Sequence, residues 1–294
     1  MKKSLSIVLI CLVFISCNRG KKSKSISDSR TSGKTTLLVD ESFSRVLDDQ
    51  IEVFTDDYPD AKVTTILGNE AKILPEFLSG KKRMIILSRM LKPGEESYYK
   101  QKQIPIFTDR FAIDGIALIT NSDNIDTLIT AKEVFDILKG VNTTKKLVFD
   151  NANSSTVRYF MDSAKVTTLP KSGVYTLNTN QDVIKYVAEH KDYIGVVGIN
   201  WLLRTEGDIL ADVERVKIMG VKGLKGKNFY TPTQNSLING VYPFLRNIYI
   251  INCEGTNGLG TGFANWLNSP RGQLIVLKSG LGPHKMISRN INIK

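Results

Sequence analysis

The sequence predicts an α/β protein of two lobes closing on a cleft, and three observations carry that prediction. From Thr35 onward, short apolar strands alternate with segments of helical periodicity, the signature of strand–helix–strand units. Two extended apolar passages, at residues 104–120 and 240–251, are long enough to cross from one lobe to the other. A helical segment at 262–278 follows the second passage, so the C-terminal part returns to complete the first lobe. The ligand of such a clamp belongs in the cleft, near the ends of parallel strands.

Residues 36–39 read as the first strand. Phe43, Val46, Leu47, Ile51, Phe54 and Tyr58 then recur at helical spacing, with Ser42 where that helix needs its cap. A strand at 61–67, a short helix at 70–78 and a strand at 84–87 complete a βαβαβ run. The first passage holds two apolar strings, 104–107 and 113–119. Thr130-Ala131-Lys132-Glu133 is a capping box that heads the helix at 134–138. A strand at 147–149, helices near 154–163 and 181–190, and a strand at 194–197 follow. The glycine- and lysine-rich stretch 220–232 reads as a mobile loop. The last helix, 262–278, is stopped by Ser279-Gly280. The expected lobes are therefore 35–113 with 243–294, and 114–242.

The first residues read as a processing signal. Lys2 and Lys3 precede an apolar run from Leu5 to Ile15, too short for the about 20 residues that span a bilayer. The run closes on Ser16-Cys17, a small residue directly before a cysteine, as bacterial lipoprotein processing requires; Cys17 is the expected lipidation site. Residues 1–16 are then a lipoprotein signal peptide and 17–34 a disordered tether, nearly free of apolar residues. Its Lys21, Lys22 and Lys24 would lie against anionic headgroups and supplement the lipid anchor. Removing the signal takes away two lysines and no acid from 40 basic and 29 acidic residues, leaving a net charge of +9. That balance favours anionic partners. The export signal and the even scatter of lysines argue against nucleic acid.

Cysteine and histidine usage excludes several classes. Cys11 leaves with the signal and Cys17 is committed to lipid, so Cys253 has no disulfide partner and reads as a buried strand-end residue. His190 and His284 are the only histidines, so a Cys/His metal site is not expected. A hydrolase or phosphatase would need a nucleophile with a base, or a metal cluster, and neither histidine lies in such a motif. The expectation is a binding protein, not an enzyme, without cofactor.

Three places share one local grammar, an apolar strand, then a serine, then a helix: residues 37–43 with Ser42, 85–91 with Ser88, and 148–158 with Ser154 and Ser155. A helix N-terminus offers unpaired N–H donors and partial positive charge, so three converging starts would grip a tetrahedral oxyanion. Asn153-Ser154-Ser155-Thr156 is the most informative, since consecutive small polar residues with free amides make a compact anion nest. Arg158, one turn into that helix, either reaches the ligand or is an ordinary surface residue. Arg89 directly follows a strand end, where an arginine suits an anion.

The wording and order of Leu87-Ser88-Arg89-Met90-Leu91-Lys92-Pro93-Gly94-Glu95, Asp114-Gly115-Ile116-Ala117-Leu118-Ile119, Asn153-Ser154-Ser155-Thr156-Val157-Arg158-Tyr159-Phe160, Ile194 to Trp201, Tyr242 to Arg246, and Gly272-Gln273 through Leu281 resemble the phosphate-binding proteins of ABC importers. The resemblance is collinear over about residues 35–285. It implies the type II periplasmic binding protein fold with two crossover strands, a monomer that captures inorganic phosphate in a closed, dry cleft, and delivery to ABC transporter permease subunits. Localisation would be periplasmic, with membrane attachment through the lipid anchor. Carried over residue by residue, the phosphate-binding positions are Ser42, Ser88, and Ser154, Ser155 and Thr156.

The departures concern charge. Better-known members carry an aspartate after the second-loop serine and an arginine four residues before the third-loop serine, where this chain has Arg89 and Asp150. The two charges appear exchanged, and the expectation is that they face one another across the anion; alternatively Asp150 caps a turn through Asn151. Asp40 and Asp114 are further candidate acids, and Asp114 is equally a candidate hinge residue. The acid matters for ligand choice, because phosphate keeps a proton at neutral pH and sulfate does not. A carboxylate accepts a hydrogen bond from the first and repels the second. Sulfate, molybdate or a sensing role are the alternatives.

Overall fold

The computed structural model describes residues 28–141, 144–203, 207–255 and 257–285. The signal, Cys17 and most of the tether lie outside the described residues. β1 (Gly33–Asp40) is the inner strand of the first half, parallel to β2 (Ala61–Gly68) on one side and β3 (Met84–Leu87) on the other. It opens at Gly33, two residues ahead of the expected start of the lobe. The connections are α1 (Ser44–Asp57) and α2 (Glu70–Leu78). The strand alternates between two cores: Leu37 and Val39 pack with Val46, Leu47 and Phe54 of α1, and Leu38 packs with Ile73 and Phe77 of α2. Helices on both faces explain why its C-terminal half is wholly buried and apolar apart from Asp40.

The two apolar strings of the first passage become one strand, β4 (Phe107–Asn121), whose 15 residues run through both halves of the sheet. Its first part pairs antiparallel with β12 (Leu245–Asn252), and residues 116–119 pair antiparallel with β8 (Tyr193–Gly198). In the second half β6 (Lys146–Phe149) lies between β8 and β7 (Val174–Thr176), all parallel. Its helices are α3 (Ala131–Leu138), α4 (Ser155–Ala164) and α5 (Asn180–Glu189). The order along the ten-stranded sheet is β2-β1-β3-β12-β4-β8-β6-β7, with β9 (Val216–Ile218) and β13 (Gly282–Pro283) also pairing with β4. The expected two-lobed α/β arrangement with two crossings is the observed one. The crossings lie side by side, with the Ile116 amide donating to the Phe244 carbonyl at 2.8 Å. At Gly115 an added Cβ would stand 2.8 Å from both Leu237 and Pro232, so close packing at the crossing requires glycine.

The capping box forms as read: the Glu133 amide donates to Thr130 Oγ1 at 3.1 Å and the Thr130 amide to Glu133 Oε2 at 2.8 Å. Three expectations change. The 220–232 stretch is not simply a loop, since β10 (Gly220–Lys222) and β11 (Phe229–Tyr230) build a small sheet with β5 (Leu128–Thr130). Ser42 does not cap α1. Asp40 instead accepts the Ser42 amide at 3.1 Å and caps the short turn Glu41–Phe43, which precedes the helix. The long C-terminal helix is two, α6 (Leu259–Leu267) and α7 (Pro270–Lys278). Pro270 cannot continue a helix, and Ser269 caps the new one through the Gly272 amide.

Candidate functional site

The carboxyl ends of β1, β6 and β8 lead to one place, the crevice where ligands bind in open α/β sheets. β1 delivers Asp40 and, after it, Ser42. Both are buried, and the Ser42 carbonyl accepts from Asn200 Nδ2 at 3.0 Å, which ties this turn to the segment that follows β8. β6 delivers Asp150 and then the start of α4. Ser154 caps that helix through the Val157 amide, leaving the Ser155 and Thr156 amides in its first turn; both residues are fully buried.

Arg246 stands at the centre. It is the register partner of Asp114 across β12 and β4, and its Nε donates to Asp114 Oδ2 at 2.9 Å with the two side chains 1% and 0% exposed. Its Nη1 donates at 3.2 Å to both Ser155 Oγ and Thr156 Oγ1, and its guanidinium lies 4.7 Å over the Phe43 ring. Gly198 makes room: a Cβ there would stand 2.6 Å from Asn200 Oδ1 and 3.4 Å from Arg246 Nη2. Among the described residues, one buried cation thus faces three buried acids, Asp40, Asp114 and Asp150. Burial pushes the Asp40 carboxyl up against the opposing pull of Arg246, and does the same to Asp114. Asp150 is pushed up to about 6 by burial, although the Ser154 hydroxyl donates to it at 2.6 Å.

The expected exchange of Arg89 and Asp150 across the cleft is not what the side chains do. Asp150 is held within its own lobe by Ser154 and by Asn180 Nδ2 at 3.1 Å. Arg89 is consumed in the other lobe, its Nε on Glu70 Oε1 at 2.7 Å and its Nη atoms on Glu95 at 2.7 and 2.8 Å. Arg158 turns away from the nest as well: it donates to Glu70 at 2.9 Å, to Ser88 Oγ at 2.9 Å and to Asp162 at 3.1 Å. Ser88 therefore accepts from an arginine of the opposite lobe. Asn153 is exposed, with its amide on Asn151 Oδ1. Ser42, Asp150, Ser154, Ser155 and Thr156 are brought together; Ser88, Arg89 and Arg158 form a second cluster, and the exposed Asn153 lines a groove with Arg158 and Glu70.

The buried polar atoms without a hydrogen-bond partner include Asp40 Oδ2, Ser42 Oγ, Asp114 Oδ1, Asn180 Oδ1, Asn200 Oδ1 and Arg246 Nη2. All belong to the first cluster. Each such atom costs about 1–3 kcal/mol unless something pairs with it. Donors and acceptors are mixed, so a fitting ligand presents both: oxygens for Arg246, Ser42 and the α4 start, and a proton for a carboxylate. The sequence reading missed Arg246, Asn180 and Asn200 as site residues. Only Arg246 left a signal, an arginine sharing the buried face of a strand with Ile248 and Ile250. Among the described residues no group of His, Cys, Asp and Glu is arranged to hold a metal ion, and no helix is long and apolar enough to cross a membrane.

A protein-family model described as a PBP superfamily domain matches residues 25–271. A comparison with curated proteins finds no match. Among solved structures the chain resembles a protein of Clostridium perfringens described as a phosphate ABC transporter substrate-binding protein, with phosphate bound: TM-score 0.69 and 20% identity over 86% of this chain and 100% of that one. An ABC-type phosphate transport receptor from Vibrio cholerae gives a TM-score of 0.65 at 18% identity, covering 85% of this chain and 100% of that one. PstS from Borrelia burgdorferi gives 0.56 at 19% identity, covering 87% and 100%.

Proposed function

Because the chain belongs to the PBP superfamily, we propose that it captures inorganic phosphate between its lobes and hands it to an ABC import permease. The observation that carries this reading is the mixed set of unpartnered buried atoms around Arg246. A protonated tetrahedral oxyanion satisfies both signs at once, with its charged oxygens on Arg246, Ser42 and the α4 amides and its hydroxyl on a carboxylate. A fully ionised anion has nothing to give Asp40 or Asp114. The likeness to phosphate receptors in other organisms supports the same ligand.

No chemistry is performed on the ligand in this reading. Neither histidine lies at the site: His190 stacks on Tyr186, and His284 accepts from Arg110. The receptor acts outside the cytoplasm, held to the membrane by lipid on Cys17, and its lobes 35–113 with 243–294 and 114–242 close about residues 112–116 and 240–244. Calorimetric titration with phosphate, sulfate and molybdate, beside a phosphatase assay, tests the proposal. Phosphate should bind, sulfate should not compete, and no phosphate ester should be cleaved. Failure to bind phosphate, or equal binding of sulfate, overturns it.

A further inference from the structure

We propose that Glu70 is a positioning residue that locks the lobes over the bound anion and sets its rate of release, an inference that rests on the clamp reading above. Glu70 opens α2 in the first lobe, beside its cap Asn69, and its side chain is 6% exposed. Its two carboxylate oxygens take one arginine each. Oε1 accepts from Arg89, which belongs to the same lobe and is itself pinned by Glu95 and by the Met90 carbonyl at 3.0 Å. Oε2 accepts from Arg158 of the opposite lobe at 2.9 Å, and the same guanidinium reaches Ser88 at 2.9 Å.

The division of labour follows from the partners. Arg89 has no partner outside its own lobe among these bonds, so its ion pairs do not change when the clamp opens. The Arg158 bonds to Glu70 and Ser88 join the two lobes and must break for it to open. An outer groove is lined by Glu70 and Arg158 together with Ala152, Ser154 and Val157, and Ser154 is also the cap of the anion nest. The lock therefore lies in a groove between the lobes, next to the start of α4. Arg89 keeps the Glu70 carboxylate oriented, and Glu70 in turn aims Arg158 at Ser88. Since the pair exists only in the closed state, it slows opening more than it speeds closing.

The test is rapid-mixing kinetics with inorganic phosphate on Glu70→Gln, Arg158→Gln and the double variant. Release from Glu70→Gln should be roughly ten-fold faster, within the range usual for a coupling between two states, while the association rate changes far less. Arg158→Gln should do the same, and the double variant should be no faster than either single one. Glu70→Asp, which keeps the charge, should recover part of the slow release. An unchanged release rate, or additive effects of the two changes, overturns the lock. Small-angle scattering on the ligand-free variants keeps the question apart from the identity of the ligand. Both glutamine variants should show a larger radius of gyration than the parent chain, and equal radii would overturn the lock even if phosphate proved to be the wrong ligand.

Discussion

Replacing Arg246 with methionine removes what is, among the described residues, the one cation of the buried centre, while keeping much of its length. The magnitude follows from its surroundings. The guanidinium is 1% exposed and holds Asp114, 0% exposed, at 2.9 Å; it also donates to Ser155 and Thr156. Deleting one partner of a buried pair leaves the other charge uncompensated, which costs about 3–5 kcal/mol. Asp114 has a way to reduce that cost, because its carboxyl is already pushed up by burial and protonates more readily once Arg246 is gone. The loss of stability should therefore be small at pH 5 and approach its full size at pH 8. Urea unfolding followed by circular dichroism at the two pH values measures it. Adding Asp114→Asn removes the stranded charge and should recover at least half of the loss at pH 8. Phosphate binding should vanish in Arg246→Met at either pH. A single variant within about 1 kcal/mol of the parent at pH 8, or a loss that Asp114→Asn does not relieve, refutes the reasoning.

Asp150 has a folded-state value of about 6 against an ordinary 3.8, so its stabilising proton is present below the ordinary value and lost as pH rises through about 6. Asp150→Asn should flatten the stability profile between pH 4 and 7 and stabilise the ligand-free protein at pH 8 by up to about 3 kcal/mol; an unchanged slope in urea titrations counts against it. Ser155→Ala and Thr156→Val should each weaken phosphate binding by about 1–3 kcal/mol in calorimetry with folding nearly intact, and unchanged affinity in both would move the ligand away from the start of α4. Cys17→Ala should leave the protein soluble or unprocessed where the parent needs detergent for extraction; a parent protein recovered in the aqueous phase with another N-terminus would remove the lipid anchor.

What was legible in the sequence was local. The helix at 70–78 and the strand at 84–87 fall where their apolar spacing puts them, and the capping box at Thr130 forms with both bonds because its geometry is set within four residues. The break at Ser269-Pro270 was equally local, a cap followed by proline. The apolar periodicity continues through it and masks it. The partners of charged side chains were not legible. Nothing in the spacing of Arg89 shows that Glu70 and Glu95 will take it, or that Arg158 will meet an acid 88 positions earlier. Ser42 stands where the spacing suggests a helix cap, yet Asp40 does the capping, which leaves the Ser42 hydroxyl buried and unpartnered.

In the proposed function, the charge balance of the centre makes protons decide the ligand. Asp40, Asp114 and Asp150 surround Arg246, the one buried arginine among the described residues there, and if all three were ionised the site would repel any anion. Burial acts on each in the same direction, raising the carboxyls so that the neutral form competes with the charged one. A neutral carboxyl donates a hydrogen bond and an ionised one accepts, so the same three side chains offer an anion either a donor or an acceptor according to where the protons reside. A ligand that itself carries an exchangeable proton can settle that distribution with the protein, because one proton between two oxygens satisfies both. An anion without a proton must find every carboxyl it touches already neutral, and the arginine alone cannot arrange that. If the site takes the ligand proposed above, the acids that a simple count of charges sets against an anion are therefore the groups by which a protonated oxyanion is told from a bare one.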